Sequence, residues 1–226
     1  MHAALAAAVR AGARVFDRTR VTEVTRNGSG VVVETAEGHS IRATRLVVAS
    51  GYEASQSLGR KTGELSSTWA FISEPVDSFM GWPQRCLIWE TARPYLYLRT
   101  TDDGRILAGG EDEPWSKRHQ DGSSLGTKCE KLAERVRAMF PAIDVDIAYR
   151  WAGVFASTAD GLPFIGAVPE RPHTWIALGY GGNGITFSML ASAIIREAWF
   201  GRVHPAAHVF AFDRPSASRR RRWFRD

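Results

Sequence analysis

Residues 179–188, which read GYGGNGITFS, constrain the fold of this chain more than any other stretch. The apolar run at 175–178 precedes them and predicts a buried strand, and the amphipathic run at 185–199 predicts a helix. A glycine turn between strand and helix lets the backbone approach a large anionic or heteroaromatic ligand, with free N–H groups and the positive helix end facing it. A tight turn without a ligand has the same pattern, so the glycines alone leave both interpretations open.

The first quarter of the chain predicts a helix, a small antiparallel sheet and a buried strand. The alanine-rich run at 3–11 is typical of a helix, and Gly12 is placed to end it. Three runs of β-forming residues, separated by glycine turns, predict a meander: 21–25, 31–35 and 39–43. Residues 45–51 are apolar on consecutive positions and predict a strand buried on both faces, which ends in Ser50 and Gly51.

A second β-rich region follows, and it predicts an insertion into one α/β layer. Its candidate strands are 68–75, 86–90, 95–100, 105–110 and 147–155, and a helix is predicted at 126–140. We therefore expect an α+β fold with three parts. These parts are a discontinuous layer from residues 1–52 and 159–213, an inserted antiparallel sheet at 53–158, and a basic tail at 214–226.

Composition excludes several classes of function. The net charge is +5, but the arginine run at 219–222 supplies four positive charges and is typical of a solvated tail, so we expect no nucleic-acid partner. Cys86 and Cys129 lie far apart without metal or CxxC spacing, which favours a reducing compartment such as the cytoplasm. The histidines show no metal-ligand spacing, and no apolar run reaches the ~20 residues of a membrane span.

Five segments in this order resemble the D-amino-acid-oxidase-like superfamily of FAD-dependent oxidoreductases: 12–21, 42–51, 97–110, 160–166 and 179–188. The resemblance implies a partial Rossmann-like FAD-binding domain with an inserted antiparallel β-sheet substrate domain. It implies a small amine or amino acid as the substrate. The C–N bond would be oxidised by hydride transfer to flavin N5, and water would hydrolyse the resulting imine.

The resemblance also implies which residues contact FAD. Backbone N–H groups of the glycine-rich loop would face the pyrimidine edge of the flavin, where negative charge grows on reduction. Asn183 is expected at a positive φ. Thr186 contacts the flavin or is an ordinary helix-cap hydroxyl. The complete set of expected cofactor residues is Val21, Ser50, Gly51, Gly161, Gly182, Asn183, Gly184, Ile185 and Thr186.

The chain departs from the family at its first element, a βαβ unit with the phosphate-binding pattern GxGxxG. That pattern is absent here, since residues 28–30 lie in a predicted hairpin. We expect either an N-terminally truncated chain or a partner chain that supplies the unit. The alternatives to an enzyme are a non-catalytic remnant or subunit that needs this partner, and a plain β-rich binding module.

A second departure concerns the substrate and the flavin link. Phe155 stands where amino-acid-oxidising relatives place a carboxylate-binding arginine, so the substrate lacks an α-carboxylate or Arg99 or Arg150 binds it. Gly153 stands near the position of a flavin-linking cysteine, which predicts non-covalent FAD. Thr186 stands where a relative has an oxygen-activating lysine, which makes rapid reaction with O2 unexpected.

Polar residues of the predicted hairpin are further substrate candidates. Tyr97 and Arg99 alternate to one face of their strand, where Tyr97 either orients an amine or packs within the sheet. The acidic run Glu111, Asp112 and Glu113 either binds a cationic amine or forms a solvated loop.

Overall fold

The computed structural model describes residues 2–59, 62–117 and 122–214, without the side chains of Gln56 and Ser57. Five α-helices lie in these ranges: α1 (His2–Arg10), α2 (Ala54–Leu58), α3 (Leu125–Met139), α4 (Gly184–Trp199) and α5 (Ala207–Phe210). The first strands of the same ranges are β1 (Val21–Asn27), β2 (Gly30–Thr35), β3 (Ser40–Ala43), β4 (Leu46–Val48), β5 (Glu64–Ser73) and β6 (Ile88–Trp89). The remaining strands are β7 (Leu96–Thr100), β8 (Ile106–Pro114), β9 (Ile147–Ser157), β10 (Phe164–Ala167) and β11 (Thr174–Leu178).

The predicted meander is confirmed as a three-stranded antiparallel sheet in the order β1, β2, β3. The side-chain oxygen of Asn27 accepts hydrogen bonds from the N–H groups of Ser29 and Gly30, both at 3.0 Å, and so holds the turn between β1 and β2. Arg26 ties this sheet to β11, because its Nε donates to the Thr174 hydroxyl at 3.0 Å.

A second sheet, in the order β10, β11, β4, carries the glycine-rich loop at the end of its central strand. β4 and β11 are parallel neighbours although β5 to β10 lie between them in the sequence. Helix α4 packs on one face, where Ala191 and Ile194 meet Ile165 and Ala177. α2 and the segment around Phe212 cover the other face.

The prediction that residues 45–51 form a strand buried on both faces is wrong. The strand is short, Leu46–Val48, and the Val47 side chain is 41% exposed. The physical reason is its place in the sheet: within the described ranges β4 is an edge strand with a neighbour on one side only. A short 3-10 helix, Gly51–Glu53, follows it.

The third sheet contains five antiparallel strands in the order β6, β7, β8, β5, β9. Helix α3 covers one face with a stripe at helical spacing, and Leu132 and Val136 pack against Trp69 and Phe71. Each such side chain, fully removed from water, contributes roughly 1.5–3 kcal/mol. The opposite face bears Tyr97, Arg99, Gly109, Tyr149 and Trp151, and we call it the open face.

Helices α1 and α3 end next to the glycine and the proline that predicted their ends. Gly12 has φ 97° just after α1, and α3 ends at Met139 with Phe140 in a non-helical conformation before Pro141. None of the helices in the described part of the chain is both long and apolar enough to cross a lipid bilayer.

Arg214 does not belong to a solvated tail, so the boundary predicted at 214 is wrong. Its side chain is 2% exposed and its Nε lies 2.8 Å from Oδ2 of Asp160. The guanidinium also stacks over the ring of Phe164, 4.0 Å from its centre. Arg214 is buried because the buried carboxylate of Asp160 binds its guanidinium group. The rest of the predicted tail, residues 215–226, lies outside the described residues.

Candidate cofactor and substrate site

The glycine-rich loop joins β11 to α4 as predicted, but its backbone turns earlier than expected. Gly179 and Gly181 adopt positive φ values of 79° and 54°. Asn183 has φ −104°, so the expectation of a positive φ there is wrong. The two glycines complete the reversal first, which leaves Asn183 as the residue before the helix, where its carbonyl accepts the N–H of Phe187 at 3.1 Å.

Four N–H groups remain free of backbone partners at this helix start. They belong to Gly182, Gly184, Ile185 and Thr186, for which the described part of the chain gives no backbone hydrogen bond. Thr186 is the third helical residue and Asn183 is the N-cap, so the interpretation of Thr186 as the cap is wrong. The Ile185 side chain is 87% exposed. Unpaired donors at a helix start suit an anionic or carbonyl-rich ligand edge.

The end of β9 holds the loop in place. The N–H of Gly181 donates to the carbonyl of Ala156 at 2.9 Å, and Tyr180 bridges to Ser157. A Cβ on Gly179 would lie 2.8 Å from Cγ2 of Thr158, so this position also needs glycine for packing. Phe155, one residue before Ala156, is half-buried in β9 and therefore lies close to the loop.

The turn at 160–163 connects β9 to β10. Gly161 has φ 74°, and its N–H donates to the carbonyl of Thr158 at 3.2 Å. The N–H that a cofactor would use is therefore engaged within the turn. Burial alone would raise the pKa of Asp160, but hydrogen bonds from Arg214 and from the Leu162 N–H, with the charge of Arg214, hold it well below its usual range. The ionised carboxylate fixes the turn.

Ser50 and Gly51 come directly before Tyr52, which lines a cavity that the sequence did not reveal. Gly51 has φ 65° and begins the 3-10 helix after β4. The cavity measures about 350 Å³, and Tyr52, Ser55, Thr62, Gly63, Trp115 and Ala156 are among its lining residues. Because the carbonyl of Ala156 also accepts the N–H of Gly181, one wall of the cavity belongs to the strand that holds the glycine-rich loop. The lone Gly63 before β5 was the one local signal for it.

Val21 lies apart from these groups. It is the first residue of β1 in the three-stranded sheet, where it pairs with Thr35, and its side chain is 52% exposed.

The prediction that Tyr97 and Arg99 share a face of β7 is confirmed. Leu96 and Leu98 turn into the core with α3, whereas Tyr97 and Arg99 stand on the open face. Burial, and then the negative charge of Asp112, raise the pKa of the Tyr97 phenol. The other candidate arginine, Arg150, turns to the opposite side of the sheet, toward Gly126 in α3.

The acidic run after the glycine pair is not a solvated loop, because β8 continues to Pro114. Glu111 is 1% exposed and faces α3, where its Oε2 lies 2.6 Å from Nζ of Lys131 and its Oε1 lies 3.3 Å from Nη1 of Arg135. Burial alone would raise the pKa of Glu111, but the hydrogen bonds and positive charges of Lys131 and Lys128 lower it. Glu113 pairs with Lys128 on the same side.

Together these elements place unpaired backbone donors and one wall of the cavity at the end of β9, a strand of the sheet that carries the open face. Such an arrangement can hold a large planar ligand against the loop, with a smaller molecule on its far side beneath the sheet.

Comparison with known proteins identifies the family of this chain. The family model for FAD dependent oxidoreductases, DAO, matches residues 1–198. Glycine oxidase from Bacillus subtilis (strain 168) is 28% identical over 217 residues, which cover 93% of this chain and 56% of that protein. Glycine oxidase from Geobacillus kaustophilus (strain HTA426) is 30% identical over 201 residues, 86% of this chain and 51% of that protein.

Solved structures show the same fold. The crystal structure of glycine oxidase from Geobacillus kaustophilus superimposes with a TM-score of 0.71 at 23% identity, covering 94% of this chain and 56% of that one. L-proline dehydrogenase from P. horikoshii gives a TM-score of 0.70 at 22% identity, with 90% and 55% covered. The chain thus spans about half the length of the relatives it matches. With the family model matched over most of its residues, the chain belongs to the DAO family of FAD dependent oxidoreductases.

Proposed function

We propose that this chain forms part of an FAD-dependent oxidoreductase that oxidises a C–N bond of a small amine or amino acid. The observation that carries the proposal is the set of unpaired N–H groups at Gly182, Gly184, Ile185 and Thr186, at the start of the 16-residue helix α4. Family membership supplies the reaction class, and relatives named glycine oxidase and D-amino acid dehydrogenase act on such compounds by name.

The residues fit the cofactor in one testable respect. Added Cβ atoms on Gly182 and Gly184 would meet nothing within 4 Å, so the protein itself does not require glycine for space at either position. A ligand lying against these two residues explains their identity. The loop amides and the positive end of α4 would then stabilise negative charge on that ligand without reorganising. When bound, FAD would supply the two-electron oxidation by accepting a hydride from the carbon beside nitrogen.

We expect the FAD to be held without a covalent bond, because Gly153 offers no side chain for a link. The other cofactor contacts that we propose come from Val21, Ser50, Gly51, Gly161 and Asn183. Gly161 would act through its carbonyl, since its N–H is engaged.

The substrate would lie between the loop and the open face. Tyr97 would orient the amine through its protonated phenol, and Phe155 would exclude water beside the loop. Arg99, which is exposed on the open face, is the candidate for binding a carboxylate if the substrate has one. Free Cys86 and Cys129 support a reducing compartment, and we propose the cytoplasm.

The exposed edge of β4 favours a second candidate. In this candidate the chain is a subunit that needs a partner unit carrying GxGxxG. In the described ranges this strand is an edge, and its residue Val47 lines a groove of about 340 Å³ with Ile195, Trp199 and Phe200 of the α4 region. A parallel strand added beside β4 would cover this apolar groove. In this candidate, FAD binding requires both polypeptides.

FAD titration of the purified chain tests the proposal, with flavin fluorescence and ultrafiltration as the readouts. We expect saturable binding that Gly184→Ala and Gly182→Ala weaken by about tenfold or more, since each methyl would hold the backbone away from the flavin ring. Gly28→Ala is the matched control, because a Cβ there also meets nothing within 4 Å but the residue lies in the β1–β2 turn.

Binding that the two loop variants leave unchanged would contradict the assignment of the loop. Binding that arises only when a polypeptide carrying GxGxxG is added would establish the second candidate.

A further inference from the structure

Two consecutive carboxylates of β8 leave the strand on opposite faces of the sheet. The pairing with β5 shifts between Ser67, opposite Glu113, and Trp69, opposite Gly110. Thr68 therefore faces two residues, Glu111 and Asp112, which is a β-bulge. Glu111 takes a positive φ of 57° and turns toward α3, while Asp112 turns to the open face, toward Tyr95 and Tyr97.

The charge on the α3 side is fully compensated. Glu111 has three cationic neighbours on α3, and Glu113 is bound by Lys128, one of the three. These two carboxylates need no ligand, because the protein supplies their counter-charges.

The carboxylate of Asp112, unlike these two, is only partly satisfied by hydrogen bonds. One oxygen accepts a hydrogen bond from the Tyr95 hydroxyl, and burial together with this bond raises the pKa of Tyr95, so the phenol remains a donor. The other oxygen, Oδ1, is buried and has no hydrogen-bond partner in the part of the chain that the structure describes. A shielded carboxylate oxygen without a donor is costly and calls for an explanation.

Two tyrosines, Tyr95 and Tyr97, lie close to this carboxylate. The ring centres of Tyr95 and Tyr97 lie 6.2 Å apart. Gly109 makes room for Tyr97, since a Cβ there would lie 2.2 Å from the Tyr97 hydroxyl. The nearby cation Arg93 lies over the Tyr95 ring, 5.0 Å from its centre. A carboxylate beside two tyrosine rings is a chemical setting that favours an ammonium group.

We propose that Asp112, with Tyr95 and Tyr97, binds a positively charged ammonium group through the unpartnered Oδ1. An ammonium carries up to three N–H donors and would satisfy this oxygen. Identifying that group as part of the substrate rests on the proposed function. The substrate class is then an amine that presents a cation to the open face, such as a diamine or an amine-bearing side chain.

The test uses the full 226-residue chain and needs no flavin. Backbone amide shifts in ¹H–¹⁵N NMR are followed while n-butylammonium chloride is added, with n-butanol and sodium butyrate as matched probes. We expect saturable shifts at residues 95–97 and 110–113 with butylammonium only. Asp112→Asn keeps the shape of the side chain and an acceptor for Tyr95, and it should raise the Kd by about tenfold or more.

Two further variants test whether the carboxylate of Asp112 itself binds butylammonium. Asp102→Asn removes an exposed carboxylate in the turn after β7 and should leave the Kd unchanged. Tyr95→Phe removes the hydroxyl that donates to Asp112 but keeps the carboxylate, so the Kd should rise by less than it does in Asp112→Asn. The inference is overturned by an unresponsive wild-type chain, by equal binding of butyrate, or by Asp112→Asn binding as wild type does. Because FAD titration is a separate readout, failure of the proposed function would leave these results standing.

Discussion

Arg214 binds both carboxylate oxygens of Asp160, with Nε 2.8 Å from Oδ2 and Nη2 2.9 Å from Oδ1. Its Nη1 and Nη2 also donate to the carbonyls of Pro163 and Leu162, at 2.9 and 2.7 Å. One buried guanidinium thus fastens the end of the described chain to the turn between β9 and β10.

Replacing Arg214 by alanine is expected to lower the free energy of unfolding by about 3–5 kcal/mol, because the buried carboxylate of Asp160 would lose its counter-charge. Urea denaturation followed by tryptophan fluorescence measures the change. Arg202→Ala is the matched control, since Arg202 pairs with Glu197 at the surface and is 57% exposed, and it should change the free energy of unfolding far less than Arg214→Ala does. Similar costs for both variants would refute the special role of the buried pair.

The same pair predicts the response of stability to acid. The pKa of Asp160 is lower in the folded than in the unfolded protein. Its contribution is therefore complete above the unfolded value of about 4 and is lost as the pH falls toward the folded value. We expect urea midpoints to fall below about pH 4, and Asp160→Asn to flatten this part of the curve. An unchanged slope in the variant would rule out Asp160 as the source.

Glu111→Gln tests the ion network beneath the five-stranded sheet. The amide cannot neutralise Lys128, Lys131 and Arg135, so we expect a loss of about 1–3 kcal/mol in the free energy of unfolding. Glu130→Gln, whose partner Arg137 is half-exposed, serves as the control and should change stability by less than about 1 kcal/mol. Denaturant titration at low and high salt measures both, and a cost at Glu130 equal to that at Glu111 would count against the network.

Gly63→Ala tests the packing between the start of β5 and the end of β9. An ideal Cβ would lie 2.6 Å from the carbonyl oxygen of Ser157, which is backbone and cannot swing away. We expect a destabilisation of about 1–3 kcal/mol from overpacking. Gly28→Ala should be close to neutral in the same thermal melts, because its Cβ enters free space. A neutral Gly63→Ala would show that the two strands can separate.

Local patterns predicted much of the fold. The Asn27-Gly28 turn, the spacing of Leu132 and Val136, and the strand before residue 179 each depend on neighbours within one or two turns of chain. They were confirmed because secondary structure of this kind is encoded locally.

The remaining features depend on contacts between distant segments. An apolar run such as 45–51 does not reveal whether its strand is central or at an edge. The bulge that separates Glu111 from Asp112 arises from pairing with β5, and the burial of Arg214 arises from Asp160, 54 positions earlier. Helical and strand periodicity carry no information on such pairs, so the ion network and the cavity beside Gly63 required the structure.

The outer side of β4 has a practical consequence for handling this protein. Within the described residues no strand pairs with this side, where Val47 lies next to an apolar groove, and such an edge is a template for strands of other molecules. Preparations of the chain by itself should accordingly self-associate as concentration rises, through intermolecular β-pairing. A charged residue at Val47 should keep such preparations in solution, since natural edge strands use charge for the same purpose.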